Sequence, residues 1–324
     1  MVVTVVWVIL AAAALSTLAA VLAGLLSPVS TDPLTRQYFS RAFLERAAAY
    51  QRVSLTVYLL RRLVSLAFLT ALVTAAMRYW RAAPPVALPR AAALILLFLL
   101  LFQLVNLPFD YYRSFIVEHR FGFSAYTLTG WLLDYGKSAA IGLLISTGGL
   151  IGLYFLLLRR PERWWVAAGT ALTLFMLIGT YLYPLIIDPL FNRFTPLEDE
   201  ALNSAIVQLA AGAGIKVDQV LIADASRRTN KVNAYFTGVG RTKRIVIYDT
   251  LLERFSAAEV LAVIAHEMGH WRGQHILKGM LVGALGSFAA LFLLNSLVNR
   301  SGLAGDFRVI PLALLFFLLL SLAA

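Results

Sequence analysis

The sequence predicts an all-α, multi-pass membrane protein of seven helices, with one small α+β domain between the fifth and sixth helices. Hydrophobic residues make up 60% of the 324 residues and charged residues 14%, against about 25% charged residues in an ordinary soluble domain. The apolar residues form seven runs, and a single polar stretch, 188–275, is long enough to fold as a soluble domain. This composition excludes a soluble globular enzyme, a disordered chain and a fibrous protein.

The apolar runs define the expected membrane spans, because a spanning helix needs about 20 mostly apolar residues. The runs cover about 3–25, 53–77, 91–109, 138–158, 164–187, 279–299 and 309–324. The first run has no basic residue before it and more spans follow, so we interpret it as a retained helix and not a signal peptide. The predicted domains are a five-span region (1–187), a polar domain (188–275) and spans six and seven (276–324), the seventh incomplete.

The net charge of +11 lies outside the polar domain. Residues 188–275 contain 10 Lys/Arg and 10 Asp/Glu, whereas the remainder contains 18 Lys/Arg and 7 acids, mostly in short connectors. This pattern is typical of loops beside anionic lipid, so we expect a bilayer partner and no nucleic acid. Four arginines in 26–52 favour a cytoplasmic polar domain. Arg61 and Arg62 fall inside a span, where we expect them to face a polar cavity.

The polar domain begins with a helix and continues with strands. Leu202, Ile206 and Leu209 recur at helical spacing, so the sequence predicts a helix over 198–212. Gly212 and Gly214 end this helix. Strands are predicted at 217–223, 233–237 and 244–248, with a turn at 238–240 between the last two.

The last element of the polar domain is a helix that carries a candidate metal site. Ser256 and Glu259 form a capping box at its start. The helix contains the H-E-x-x-H motif at 266–270, which begins ten residues after Ser256. Residues four apart share a helix face, so His266 and His270 can bind one zinc ion at about 2.0–2.1 Å. Glu267 can act as general base toward a zinc-activated water. The alternative is an ordinary amphipathic helix without metal.

The third protein ligand of a catalytic zinc site is not visible in the sequence. On a continuous helix, His275 would face away from His266, nine residues earlier. We therefore interpret His275 as a structural residue or a contact of a ligand, although ligation stays open. His119 is isolated and is interpreted as a loop residue, and Asp306, in a short loop between spans, lacks the context of a ligand.

Six short motifs carry a resemblance that covers nearly the whole chain: LPFDYYR (107–113), EHRFGF (118–123), DPLFNRF (188–194), DASR (224–227), NAYFTG (233–238) and HEMGHW (266–271). Together they resemble the CAAX prenyl protease type 1 family of integral-membrane zinc metalloendopeptidases. The resemblance implies a seven-helix barrel around a water-filled chamber, with the site toward the cytoplasm. It implies a zincin-like domain with one Zn²⁺ per chain, held by His266 and His270, and Glu267 as the base.

The resemblance also implies a substrate-binding edge strand, on which a peptide docks by strand addition. The residues concerned are Asn233, Ala234, Tyr235 and Phe236. A simple hairpin strand is the alternative interpretation. Members of the family carry a glutamate as third zinc ligand after a seventh span. The expected glutamate therefore lies beyond residue 324, and the chain is expected to be a C-terminally incomplete version of such an enzyme.

These patterns favour a membrane-embedded zinc metalloendopeptidase that cleaves membrane-associated or prenylated peptide substrates. The Ala/Leu/Arg-rich, cysteine-free composition favours a bacterial inner membrane. A second hypothesis is a catalytically incomplete membrane scaffold or binding protein of the same fold, motivated by the missing third ligand. A third is a transporter or channel, motivated by seven spans and intramembrane arginines, but it leaves the metal-motif helix unexplained.

Overall fold

The computed structural model describes residues 32–79, 86–237 and 244–323, together with Leu15, Ala19 and Ala23. The predicted turn at 238–240 and, apart from those three residues, the predicted first span lie outside the described residues. The described helices are α1 (Pro33–Tyr38), α2 (Arg41–Tyr79), α3 (Leu88–Tyr111), α4 (Glu118–Arg120), α5 (Leu128–Arg159), α6 (Trp164–Leu182), α7 (Glu200–Gly212), α8 (Asp249–Arg254), α9 (Ala257–Arg272), α10 (His275–Arg300) and α11 (Val309–Ala323). The strands are β1 (Phe194–Pro196), β2 (Gln219–Ala223), β3 (Ala234–Thr237) and β4 (Arg244–Tyr248).

Five helical segments of the described chain are long and apolar enough to cross a membrane. They are Arg41–Arg78, Leu88–Arg120, Leu128–Arg159, Trp164–Leu190 and His275–Arg300, and Val309–Leu318 is a shorter apolar helix. Each contains or overlaps a predicted span, so the protein is a multi-pass membrane protein. π-helical turns lie at Tyr112–Val117 and Tyr183–Ile187, near the ends of two of these segments.

The described residues divide into two compact units. Unit 1 comprises those within Met1–Phe121, Tyr135–Ala167 and Leu291–Ala324. Unit 2 comprises those within Gly122–Asp134 and Ala168–Ala290. Each unit has its own buried core.

Unit 1 is a helical unit in which α2 packs against α3 and α11. Leu66, Leu69, Val73 and Leu315 form a buried cluster. Beside it lies a cavity of about 420 Å³, lined in part by Arg61 and Arg62. Both arginines thus line a cavity, as expected, but apolar side chains make up most of its lining.

Some of the polar groups at this cavity pair with other side chains of unit 1. The Arg61 Nε atom lies 3.1 Å from an Asp110 carboxylate oxygen. The Ser65 hydroxyl donates to the Asn106 side-chain oxygen at 2.8 Å, and both side chains are buried. An apolar surrounding makes an unpaired polar group costly, so these pairs stabilise the helices that carry them.

Unit 2 contains a four-stranded mixed sheet in the order β1-β2-β4-β3. β2 and β4 are parallel, and β1 and β3 are the antiparallel outer strands. The predicted strands 217–223, 233–237 and 244–248 correspond to β2, β3 and β4. β1 and the short helix α8 were not predicted.

Side chains alternate between the two faces of this sheet, as the period of two requires. Val220, Ala234, Ile245 and Ile247 belong to a core that includes residues of α7 and α9. Leu221, Ala223 and Val246 point to the other face, where Phe194, Tyr235 and Tyr248 cover them. The sheet thus holds α9 against the side of β3 and β4.

The predicted helix over 198–212 is confirmed as α7. Asp199 caps it, because its carboxylate accepts a hydrogen bond from the Leu202 N–H at 2.9 Å. The chain leaves the helix through Gly214, which has φ of +73°. This left-handed conformation favours glycine.

Candidate active site

The helix α9 presents the histidines because its opposite face is apolar. Val260, Ile264 and Met268 recur at intervals of four and are buried in the core under the sheet. His266 and His270 are exposed on the other side, and Glu267 is half-buried between the two faces. Amphipathic spacing alone therefore turns both imidazoles outward.

The predicted capping box at the start of α9 is confirmed. The Ser256 hydroxyl accepts from the Glu259 N–H, and the Glu259 carboxylate accepts from the Ser256 N–H at 2.8 Å and from the Ser256 hydroxyl at 2.8 Å. These hydrogen bonds stabilise the charged carboxylate and lower the pKa of Glu259. The box fixes where the helix begins, and hence the rotation at which it presents its two faces.

The structure brings His266 and His270 together. Their Nε2 atoms lie 3.1 Å apart. Two nitrogen ligands of a tetrahedral zinc ion, at bond lengths of 2.0–2.1 Å, would be about 3.3 Å apart. The separation of the two Nε2 atoms is therefore close to that of two ligands of one zinc ion.

His275 completes a row of three histidines because the helix that carries His266 and His270 ends before it. The continuous helix assumed for His275 is wrong, because α9 ends at Arg272 and α10 begins at His275. Between them Gln274 has φ of +53°, which bends the chain back. The His275 Nδ1 atom consequently lies 2.7 Å from the His270 Nδ1 atom.

The other two candidate residues, His119 and Asp306, belong to unit 1. His119 belongs to α4, so its prediction as a loop residue was wrong; its Nδ1 atom lies 2.7 Å from the Phe115 carbonyl oxygen. Asp306 pairs with Arg308 at 2.5 Å. Across residues 32–79, 86–237 and 244–323, no three His, Asp or Glu side chains are grouped so that they could hold a metal ion. The described chain thus offers two ligands, His266 and His270.

β3 lies beside α9 and has the position of an edge strand. Within the described residues it pairs with β4 alone. Ala234 is buried in the core, and the Phe236 ring packs on Trp271 of α9 with centroids 4.9 Å apart. Asn233, just before the strand, is exposed. The apolar contacts join β3 to the motif helix, which leaves the strand's backbone as the group that a peptide could recognise.

Tyr235, the remaining residue of the predicted substrate-binding set, is hydrogen-bonded to a buried carboxylate. Its hydroxyl donates to Asp188 at 2.7 Å, and the other Asp188 oxygen accepts from the Asn192 amide at 2.7 Å. Burial, together with the hydrogen bond to Asp188, raises the pKa of Tyr235, so its hydroxyl stays protonated. Arg228 in turn donates to the Asn192 side-chain oxygen.

This cluster, which we call the Asp188 cluster (Asp188, Asn192, Arg228 and Tyr235), ties the DPLFNRF motif to β3. Asp188 and Asn192 belong to the DPLFNRF motif, whose sequence indicates no role for either residue. Their spacing of four residues hinted at a shared helical face. Nothing local connects them with Tyr235, which lies 47 positions further along the chain.

The fold and this site define a class of protein: a multi-pass membrane protein of the metallopeptidase class, with the H-E-x-x-H helix packed beside an outer strand of a mixed sheet. Comparison with known proteins gives the family. Residues 28–193 match the family described as "CAAX prenyl protease N-terminal, five membrane helices", and residues 196–324 match "Peptidase family M48". The chain belongs to peptidase family M48, and it carries the membrane region of the CAAX prenyl proteases.

Individual relatives agree with this assignment. An uncharacterized metalloprotease of Bacillus subtilis, YhfN, is 34% identical over 76% of this chain and 60% of its own length. CAAX prenyl protease 1 of Saccharomyces cerevisiae is 36% identical over 63% of this chain and 45% of its own length. The chain therefore spans about half the length of such relatives.

A solved structure supports the fold. The crystal structure of S. mikatae Ste24p aligns with a TM-score of 0.75 at 26% sequence identity. The alignment covers 96% of this chain and 78% of that chain. The predicted fold class, a helical membrane protein with a small α+β metallopeptidase domain, is confirmed.

Proposed function

We propose that the protein is a membrane-embedded zinc metalloendopeptidase that hydrolyses peptide bonds of membrane-associated or prenylated, CAAX-type substrates. One observation carries the proposal: two exposed imidazoles, one helical turn apart, bring their Nε2 atoms to within 3.1 Å of each other on a helix that packs beside an outer strand. The family supports it, since relatives of the chain are named as CAAX prenyl proteases.

His266 and His270 would hold one zinc ion per chain. When bound, zinc supplies a Lewis acid and brings the pKa of water toward 7. Glu267 follows His266 directly and is half-buried at the edge of the same face. In the proposed reaction its carboxylate takes a proton from the attacking water and passes that proton to the leaving amine.

The substrate would dock on β3 by strand addition. An extended peptide gains hydrogen bonds from an edge strand's backbone, and side-chain pockets add specificity. The side chains of β3 already have partners within unit 2. Ala234 lies in the core, the Tyr235 hydroxyl donates to Asp188, and the Phe236 ring packs on Trp271. The proposed substrate-binding role of Asn233, Ala234, Tyr235 and Phe236 is therefore one of main-chain recognition, with Asn233 alone offering an exposed side chain.

The proposed organisation follows this chemistry. Residues 188–275 would form the peptidase domain, between the five-span region 1–187 and spans six and seven in 276–324. Arginine-rich connectors such as 26–52 favour a zinc site toward the cytoplasm. A bacterial inner membrane is the proposed location.

The test is a zinc measurement joined to a cleavage assay. The purified chain in detergent is expected to bind close to one zinc ion, and the His266→Ala variant to bind none. After reconstitution into vesicles, a prenylated CAAX peptide is expected to be cleaved, and its unprenylated counterpart shows whether the lipid contributes. Zinc binding that survives in His266→Ala, or cleavage that is insensitive to a chelator, would contradict the proposal.

A second candidate is a catalytically incomplete membrane scaffold of the same fold. The observation that favours it is the absence of a third metal-ligating side chain near His266 and His270 within the part of the chain that the structure describes. Zinc far below one ion per chain, together with an unchanged biological effect of Glu267→Gln, would support the scaffold and contradict the peptidase.

A further inference from the structure

The three histidines of unit 2 form a row in which the middle ring contacts both neighbours. The His270 Nε2 atom lies 3.1 Å from His266 Nε2, and its Nδ1 atom lies 2.7 Å from His275 Nδ1. The His270 and His275 rings are 4.9 Å apart between centroids and inclined by 69°. His270 is thus held at both of its ring nitrogens.

We propose that His275 is a positioning residue that fixes His270 as a metal ligand, by accepting at its own Nδ1 atom the proton carried on His270 Nδ1. This inference rests on the proposed zinc site. A neutral imidazole carries one N–H, so a ring whose Nε2 atom binds metal must carry its proton on Nδ1. The His275 Nδ1 atom lies opposite that proton, 2.7 Å from His270 Nδ1.

The proposed hydrogen bond also sets the tautomer of His275. If His270 donates from Nδ1, then neutral His275 must be unprotonated at Nδ1 and carry its proton on Nε2. The His270 Nε2 atom is then without a proton, as a metal ligand must be, and it lies 3.1 Å from His266 Nε2.

The contact argues against His275 as a third ligand of the same ion. Its Nδ1 atom approaches His270 from the nitrogen opposite to the one that meets His266. A ligating histidine commonly donates its second N–H to a carboxylate or a carbonyl, which fixes the ring's orientation and raises its basicity. Here a second histidine takes that place.

The backbone between α9 and α10 is shaped for this contact. A Cβ atom added at Gly273 would lie 2.6 Å from His275 Nε2 and 2.9 Å from its Cδ2 atom. Separations below about 3.0 Å are not tolerated between these atoms, so a side chain at position 273 would displace the His275 ring. Gln274, with φ of +53°, then turns the chain so that the ring folds back over α9.

The experiment compares four variants of the full chain in detergent. His275→Leu removes the acceptor, whereas His275→Asn keeps an amide oxygen close to the position of Nδ1. Gly273→Ala disturbs the ring without changing the histidine. His119→Leu is the matched control, because His119 is an exposed histidine whose ring contacts Phe115. Circular dichroism checks that each variant is folded.

Two measurements are made on each variant. Zinc affinity is measured by competition with a chelator, with His266→Ala as the reference for a lost site. The proton position on His270 is read in the metal-free chain from ¹⁵N chemical shifts of labelled imidazoles, which are few because the chain has four histidines. A merely structural role of His275 would leave the second measurement unchanged.

We expect His275→Leu and Gly273→Ala to weaken zinc binding about 10- to 100-fold and to abolish the preference of His270 for the Nδ1 proton. His275→Asn should restore both to nearly wild-type values, and His119→Leu should change neither. Zinc binding that is lost in His266→Ala but unchanged in His275→Leu would overturn the positioning role and leave the zinc site standing. A wild-type chain that binds no zinc would overturn the proposed function, and this inference with it.

Discussion

Two polar clusters of unit 2 differ in where their hydrogen bonds end. The Asp188 cluster is closed: both carboxylate oxygens of the buried Asp188 accept from side chains of the same unit, Tyr235 and Asn192. The row of His266, His270 and His275 is open, because all three side chains are exposed. Each cluster takes most of its residues from the motifs given above, and Arg228 and His275 lie just outside those motifs.

The difference separates polar residues that build the domain from polar residues available for chemistry. A buried carboxylate whose two oxygens each accept a hydrogen bond from the same unit stabilises one arrangement of those side chains. Exposed imidazoles that share single protons can exchange a proton for a metal ion at little cost in folding. The first cluster should therefore respond to mutation in stability, and the second in metal binding and catalysis.

The largest expected effect belongs to Glu267, beside the open row. Glu267→Gln should lower the rate of peptide hydrolysis about 10²- to 10⁴-fold, because the amide cannot accept the proton of the attacking water. Zinc content and thermal stability should stay near wild-type values, as measured by metal analysis and calorimetry. The matched control is Glu253→Gln, an exposed glutamate of α8. Equal rates for the wild type and Glu267→Gln would contradict the role of Glu267 as general base.

Asp188 tests the closed cluster. Asp188→Ala leaves the buried Tyr235 hydroxyl and the Asn192 amide without their acceptor, so the free energy of unfolding should fall by about 2–3 kcal/mol. Zinc affinity should change little. The exposed Asp218 offers the control, and Asp218→Ala should stay within about 0.5 kcal/mol of wild type. A loss below about 1 kcal/mol for Asp188→Ala would show that the cluster is not the structural element described above.

The pair Ser65 and Asn106 extends the comparison to unit 1. Both residues are buried and hydrogen-bonded at 2.8 Å. A double-mutant cycle with Ser65→Ala and Asn106→Leu should give a coupling energy of about 0.6 kcal/mol, a usual value for hydrogen bonds between membrane helices. Unfolding in detergent measures each corner of the cycle. Additive single effects would mean that the bond contributes nothing to stability.

The effect of smallest reach concerns the capping box, which lies at the far end of the helix that carries His266 and His270. The pKa of Glu259 is lowered by the hydrogen bonds from Ser256. The stabilisation is therefore complete above the ordinary carboxyl pKa of about 4.3 and is lost as the pH falls through the lowered value. Wild type should be more stable than Glu259→Gln at neutral pH, and the difference should disappear in acid.

Ser256→Ala provides the matched change on the other side of the box. It should cost about 1 kcal/mol at neutral pH and reduce the acid dependence that separates wild type from Glu259→Gln. Denaturation curves between pH 3 and pH 7, at intervals of about half a unit, would measure both effects. A stability difference that does not depend on pH would contradict the assigned role of the Glu259 carboxylate.

Features with a strong local signal could be predicted from the sequence. The apolar runs, the helix α7, the strands β2 to β4 and the capped motif helix each follow from spacing within a few residues. β1 was missed because it has three residues, too few to show a period. α8 has six residues, enclosed between a strand and a capped helix, and was missed for the same reason.

The site was predictable in its ligands and not in its surroundings. The H-E-x-x-H spacing places His266 and His270 on one face whatever the rest of the fold does. The contact of His275 depends on a positive φ at Gln274, which a residue other than glycine seldom adopts. The Asp188–Tyr235 hydrogen bond depends on the packing of segments 47 positions apart, which single-sequence patterns do not record.

The two outer strands of the sheet differ in how well an additional strand could pair with them. β1 ends at Pro196, which has no N–H and therefore interrupts the backbone hydrogen bonds of any strand added along that edge. β3, at the opposite side, contains no proline between Ala234 and Thr237. A peptide that adds to this sheet as a strand is therefore expected at β3, beside the motif helix, and not at β1.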